Sequence, residues 1–151
     1  MNALVDMVEI YTDGACRGNP GPGGWAALLM FQGQEREISG AEASTTNNRM
    51  ELLAVINALR ALKRPTRARI YTDSQYVRLG ITQWLEGWKA RGWRTASNGR
   101  VKNQDLWEML DQLAAAQELE WHWVRGHSGV PGNERCDQLA NNAIDALLGL
   151  K

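Results

Sequence analysis

Ile10-Tyr11-Thr12-Asp13 recurs later in the chain as Ile70-Tyr71-Thr72-Asp73, and each aspartate is followed by a small residue, Gly14 or Ser74. Each copy reads as a short strand that ends on a carboxylate. If the two strands run parallel side by side, they sit about 4.8 Å apart. Both aspartates then project from the carboxyl edge of the sheet, where open α/β sheets bind ligands. Two carboxylates that close do not both stay ionised easily unless a positive charge joins them, and a divalent cation with oxygen ligands does that economically. Taken singly, each aspartate could equally be a strand-end or helix-capping residue; the matched context sets the pair apart.

Glu51 and Asp137 are the next candidates. Glu51 falls in the first turn of a helix expected from about Asn48, with which it has capping-box spacing. Asp137 borders the apolar stripe of the last helix, so it points toward the sheet or serves the helix dipole. His127 sits in the loop Gly126-His127-Ser128-Gly129, whereas His122, between Trp121 and Trp123, reads as structural.

These residues need elements to hold them. Val5–Asp13, Trp25–Phe31 and Glu35–Ser39 read as strands, the last two as a hairpin around Gln32-Gly33-Gln34, and the glycine- and proline-rich stretch Cys16–Gly24 reads as a loop. A helix is expected over Asn48–Leu62, where Leu52, Val55, Ile56, Leu59 and Leu62 recur at helical spacing, and Pro65 stops it. Arg69–Asp73 is a strand, Ser74–Gly92 is helical with a break near Gly80, and Asn103–Gln117 is a helix. Leu119–Val124 is a strand, and the last helix runs over Asn133–Leu148 on the stripe Cys136, Leu139, Ala140, Ala143, Ile144, Leu147. Early hairpins followed by helical crossovers imply a mixed sheet covered on both faces.

The 151 residues, 44% hydrophobic and 23% charged, fit one domain over 1–151 and argue against disorder. No apolar run approaches a membrane span and the start lacks a secretory pattern, so a cytoplasmic protein is expected, with Cys16 and Cys136 as free thiols. The missing close cysteine pair argues against a zinc finger. Formal net charge is zero, yet the Trp84–Lys102 segment holds five bases against one acid together with Trp84, Trp88 and Trp93. That segment suits a polyanion, or a solvated helix face with tryptophans packed inward. A second basic run, Arg60, Lys63, Arg64, Arg67 and Arg69, is expected to compensate a helix dipole.

Together these features resemble one family, type 1 ribonuclease H in its bacterial stand-alone form. The likeness runs through Tyr11-Thr12-Asp13-Gly14, Arg17-Gly18-Asn19-Pro20-Gly21-Pro22-Gly23-Gly24 and Thr45-Thr46-Asn47-Asn48-Arg49-Met50-Glu51. It continues in Thr72-Asp73-Ser74-Gln75-Tyr76-Val77, Gly80-Ile81-Thr82-Gln83-Trp84, Val101-Lys102-Asn103, Asp105-Leu106-Trp107, Gly126-His127 and Asn133-Glu134-Arg135-Cys136-Asp137.

The resemblance implies a ribonuclease H-like α/β fold: a five-stranded mixed sheet of order 3-2-1-4-5 with helices on both faces. A monomer without an obligate protein partner is expected because no exposed apolar stripe asks for one, and the resemblance implies an endoribonuclease. Its substrate would be the RNA strand of an RNA/DNA hybrid, cut to leave 5′-phosphate and 3′-hydroxyl ends. Asp13, Glu51, Asp73 and Asp137 match the family's metal carboxylates for two Mg²⁺ ions, with Asp13 bridging them and Mn²⁺ a possible substitute. His127 matches the loop histidine that assists water activation or product release. Cys16, Asn19, Asn47, Asn48 and Gln75 match contacts to the RNA strand, where polar groups can read a 2′-hydroxyl. Thr46 and Asn103 match a DNA-phosphate pocket, and Trp84 an aromatic of the DNA channel. The segment at about 84–102, with Lys102, reads as a basic protrusion that grips hybrid backbone. A non-catalytic hybrid-binding module, or another nuclease on this fold such as an integrase or exonuclease, is the competing reading; the full acid set argues against the first, and the protrusion and the Thr46–Asn47 region against the second.

Overall fold

The computed structural model describes residues 7–125 and 129–150. The chain order is β1 (Met7–Cys16), β2 (Gly21–Phe31), β3 (Gln34–Thr45), α1 (Asn47–Arg60), β4 (Arg67–Thr72), α2 (Gln75–Leu79), a π-helical turn (Gly80–Trp84), α3 (Leu85–Ala90), α4 (Gln104–Ala115), β5 (Glu118–Trp123) and α5 (Pro131–Leu147). The sheet order is β3-β2-β1-β4-β5. β1–β2 and β2–β3 pair antiparallel, and β1–β4 and β4–β5 pair parallel, so the sheet is mixed as the sequence implied.

Alternation along the strands sets the two faces. Val8, Ile10, Ala68 and Ile70 point to one side, where α1 buries Leu52, Val55, Ile56 and Leu59 and α4 adds Leu106, Trp107 and Leu110. On the other side α5 lays Cys136 and Ala140 over Ala26 and Leu28 of β2. The expected stripe of α5 is buried at Cys136, Ala140 and Ile144, while Leu147 at the helix end is 44% exposed.

Several boundaries differ from the sequence expectation. β2 starts at Gly21, inside the expected loop, because Gly23 and Gly24 pair with Cys16 and Ala15 of β1 and Gly21 pairs with Thr45 of β3. β3 runs on to Thr45 along the same ladder. α5 starts at Pro131, a residue suited to the first helical position because its nitrogen has no hydrogen to satisfy. The cap of α1 is Thr46, whose Oγ1 accepts from the Arg49 N–H at 3.2 Å; Asn48 is inside the helix and forms no capping box with Glu51. Arg67 and Arg69 do not compensate a helix end: they pair across strands with Glu118 at 2.5 Å and Glu120 at 3.1 Å.

The expected break near Gly80 is a π-helical turn. It brings the Gly80 backbone so close to the Trp107 ring that a Cβ there would lie 1.9 Å from Cη2. Tyr76 and Trp88 meet that ring in tilted and edge contacts, and Trp84 and Trp93 pack on them in turn. Trp88 and Trp93 of the basic segment thus face inward, and Arg91, Arg94, Arg100 and Lys102 remain exposed outside them. Lys89 is held by Asp111 at 3.2 Å and Glu86 at 3.7 Å.

Candidate active site

Ile10 pairs with Ile70 and Tyr11 with Tyr71, so the two copies of the repeated tetrapeptide lie in register on neighbouring parallel strands. The tyrosine rings stack with centroids 4.5 Å apart. Asp13 and Asp73, two residues beyond the paired tyrosines, therefore share one edge of the sheet. Asp73 follows the last residue of β4, whereas β1 continues past Asp13 to Cys16. Glu51 arrives from the second turn of α1. This is possible because Gly14 has no side chain: a Cβ there would meet the Glu51 backbone nitrogen at 2.6 Å.

Asp13, Glu51 and Asp73 each offer an oxygen, and these atoms lie within 4.8 Å of one another. Asp13 and Glu51 are buried, at 9% and 7% exposure. Burial, then the charges of Asp73 and Asp137, pushes the Asp13 carboxyl up to about 8, against the Gly14 N–H, which donates to Asp13 Oδ1 at 2.9 Å. Burial, then Asp13 and Asp73, holds Glu51 well above the usual carboxylate range. Glu51 Oε1 is buried with no hydrogen-bond partner. Clustered carboxylates with an unsatisfied buried oxygen are costly unless a cation joins them. The donor set is all oxygen, so it suits a hard divalent ion. Asp137, on α5, is half-buried beside Asp13 and lines the same open cleft of about 550 Å³ with Asp13, Asp73, Arg125 and Asn133, outside the mutually close set of three.

The family model described as RNase H matches residues 6–145 of this chain. The chain belongs to the ribonuclease H family. It is 64% identical over 141 residues to "Ribonuclease H" of Nitrosococcus oceani, covering 93% of this chain and 96% of that one. It is 65% identical over 142 residues to "Ribonuclease H" of Halorhodospira halophila, covering 94% and 95%. Among solved structures it is similar to LC9-RNase H1, described as a type 1 RNase H with the type 2 active-site motif. The TM-score is 0.84 at 37% identity, over 93% of this chain and 73% of that one.

Around this ribonuclease H centre the other expected residues fall into two groups. Cys16 ends β1, its thiol facing the carbonyl oxygens of Gly18 at 2.7 Å and Thr45 at 3.4 Å, and burial raises its pKa. Asn19 Oδ1 accepts from the Asn47 N–H at 3.1 Å, tying the β1–β2 loop to the start of α1. Asn47, Asn48 and Gln75 are exposed, and Thr46 spends its hydroxyl oxygen on the helix cap. The second group lies with the aromatic cluster. Trp84, which is not packed on the core as Trp88 and Trp93 are, shares a groove of about 320 Å³ with Lys102, Tyr76, Trp88 and Arg100. Asn103, in left-handed conformation at the cap of α4, donates through Nδ2 to Tyr76 Oη at 3.2 Å, and Trp107 Nε1 donates to the same oxygen at 2.9 Å. His127 lies outside the described residues.

Sequence reasoning missed one residue of this site. Asn133 Nδ2 donates to Tyr71 O at 3.1 Å and Thr12 O at 3.4 Å, so the first turn of α5 is clipped across both carboxylate-bearing strands. Its place one helical turn before Asp137 was the available signal.

Proposed function

We propose that this chain is an endoribonuclease that cleaves the RNA strand of RNA/DNA hybrids, leaving 5′-phosphate and 3′-hydroxyl ends. The observation that carries the reading is the in-register pairing of the two tetrapeptides, which with Glu51 gathers three carboxylates within 4.8 Å at one sheet edge. Family membership and relatives named Ribonuclease H support it.

Asp13, Glu51, Asp73 and Asp137 would hold two Mg²⁺ ions, with Mn²⁺ able to substitute. When bound, such ions lower the pKa of water and stabilise the charge on attacking and leaving oxygens of an in-line displacement. The chain's own share is to keep four acids in place and partly dry, so that ligand geometry is set before substrate arrives. His127 assists proton movement at the attacking water or the departure of product. Cys16, Asn19, Asn47, Asn48 and Gln75 face the RNA strand and its 2′-hydroxyls. Thr46 and Asn103 take a DNA phosphate, Trp84 lines the DNA channel, and Lys102 belongs to the basic protrusion that grips hybrid backbone. These backbone contacts give weak sequence preference and strong salt dependence. We place the enzyme in the cytoplasm as a one-domain monomer; among the described residues no helix is long and apolar enough to cross a membrane.

The test is cleavage of a hybrid with 5′-labelled RNA in Mg²⁺, in Mn²⁺ and in chelator, with end analysis of the products. Cutting in either ion, none in chelator, and 3′-hydroxyl ends are expected. Cutting in chelator, or 2′,3′-cyclic phosphate ends, would contradict the reading.

A further inference from the structure

Asp73 is flanked on its other side by a second polar cleft, of about 360 Å³, lined by Ser74, Gln75, Arg78, Trp123 and Arg125 among others. Asp73 and Arg125 line both this cleft and the carboxylate cleft, so the two meet at Asp73. Local structure fixes both walls. The Arg78 N–H donates to Ser74 O at 3.0 Å, which sets Arg78 one turn along α2. The Val124 N–H donates to Thr72 O at 3.0 Å, which carries the chain after β5 along the end of β4 and delivers Arg125 beside Asp73.

The two arginines differ from most others near the sheet. Arg17, Arg49, Arg67, Arg69 and Arg135 are each held by a carboxylate, on Asp145, Glu42, Glu118, Glu120 and Glu37. Neither the Arg78 nor the Arg125 guanidinium has a side-chain partner among the described residues, and both residues are exposed. Among the described residues neither guanidinium is spent on an ion pair, so both are available to an incoming anion. The pair answers a need, because the carboxylates repel any phosphodiester that approaches, and forked donors outside the cluster can hold the flanking backbone.

We propose that the cleft between Arg78 and Arg125 is an anion subsite for one phosphodiester of the RNA strand next to the cut bond. This rests on the ribonuclease reading above. The occupant is the RNA strand because that strand must pass over Asp73 to be cut, while the groove of Trp84 and Lys102 lies apart on the protrusion. Gln75, an expected RNA-strand contact, lines the same cleft. Arg78 and Arg125 therefore add affinity for the RNA strand beside the cut bond.

The test uses a short RNA/DNA hybrid cut at one main position. Neutral methylphosphonates replace single RNA linkages on either side of the cut, one per substrate. Arg78→Ala and Arg125→Ala are each expected to raise KM about three- to tenfold with kcat within about twofold, and to flatten the salt dependence by about one charge. At one linkage near the cut, the methylphosphonate should cost the wild type that same factor and cost the double variant nothing further. Arginine-to-lysine variants should recover part of the loss. Unchanged KM in both alanine variants, or equal methylphosphonate losses in wild type and double variant at every linkage, would overturn the subsite. Affinities for the same hybrids in chelator are read by fluorescence anisotropy. If the wild type binds hybrid without cutting it, the ribonuclease reading fails, and the affinity comparison still decides the subsite.

Discussion

Gly14 and Glu51 are packed backbone to backbone: a Cβ on Gly14 would lie 2.6 Å from the Glu51 nitrogen and 2.7 Å from the Met50 carbonyl carbon. That closeness brings a helix carboxylate over a strand carboxylate. Because backbone rather than a flexible side chain stands in the way, Gly14→Ala must move α1. We expect a loss of about 2–3 kcal/mol in urea unfolding and a fall of about a hundredfold or more in cleavage rate. A variant with native rate would show that the contact does not set the Asp13–Glu51 spacing.

The raised Asp13 carboxyl makes stability depend on pH and metal. Its ordinary value is 3.8, and in the folded chain without metal it stands at about 8. A carboxyl whose folded value is the higher one contributes stability that is complete below its unfolded value and lost as pH rises through the folded one. In chelator, wild type should therefore lose stability between about pH 4 and pH 8, and Asp13→Asn, in which the buried Glu51 still titrates, should lose less over the same range. The asparagine variant should melt several degrees above wild type at pH 8, with a smaller gap at pH 5. Mg²⁺ should raise the wild-type melting temperature more than the variant's. Thermal melts at both pH values check this; a gap that does not widen with pH would contradict it.

The paired carboxylates were legible because a strand repeat in register places its last residues together, and the repeat is visible as letters. The stripe of α5 was legible from its period, and Cys136, Ala140 and Ile144 are buried as it required. The start of β2 was not, since Gly21-Pro22-Gly23-Gly24 has loop composition and becomes strand only through its partners Cys16, Ala15 and Thr45. Arg67 and Arg69 looked like helix-end charges because their carboxylate partners are fixed by cross-strand register, which one chain segment does not reveal. Glu51 fitted a capping box until Thr46 took the cap, which left the acid buried.

Asn133 holds α5 across β1 and β4 through its amide, and Asp137 follows one turn later. Asn133→Ala leaves the Tyr71 and Thr12 carbonyls without that donor and frees the helix start. We expect about 1–2 kcal/mol of destabilisation. We expect kcat to fall about tenfold or more while KM changes little, since ligand placement rather than substrate contact is disturbed. Steady-state kinetics on the hybrid separates the two; a pure KM effect would count against this role.

Gly80 faces Trp107, which is fully buried, at a distance that leaves no room for a methyl group. Gly80→Ala should displace the ring on which Tyr76 and Trp88 pack, and with them Trp84. A cost of about 3 kcal/mol in unfolding is expected. Hybrid affinity should weaken through the Trp84 groove, with the metal dependence of cleavage unchanged. Unfolding and anisotropy titrations read both, and native stability in the variant would contradict the packing argument.

The central claim is selectivity for one strand of one kind of duplex. One end-labelled RNA, presented single-stranded, in an RNA duplex and in an RNA/DNA hybrid, with Mg²⁺ or chelator and beside Asp13→Asn, tests it directly. Cleavage confined to the hybrid, dependent on Mg²⁺ and lost in Asp13→Asn, is the predicted result. Equal cutting of all three forms, or hybrid cutting that survives Asp13→Asn, would contradict the account.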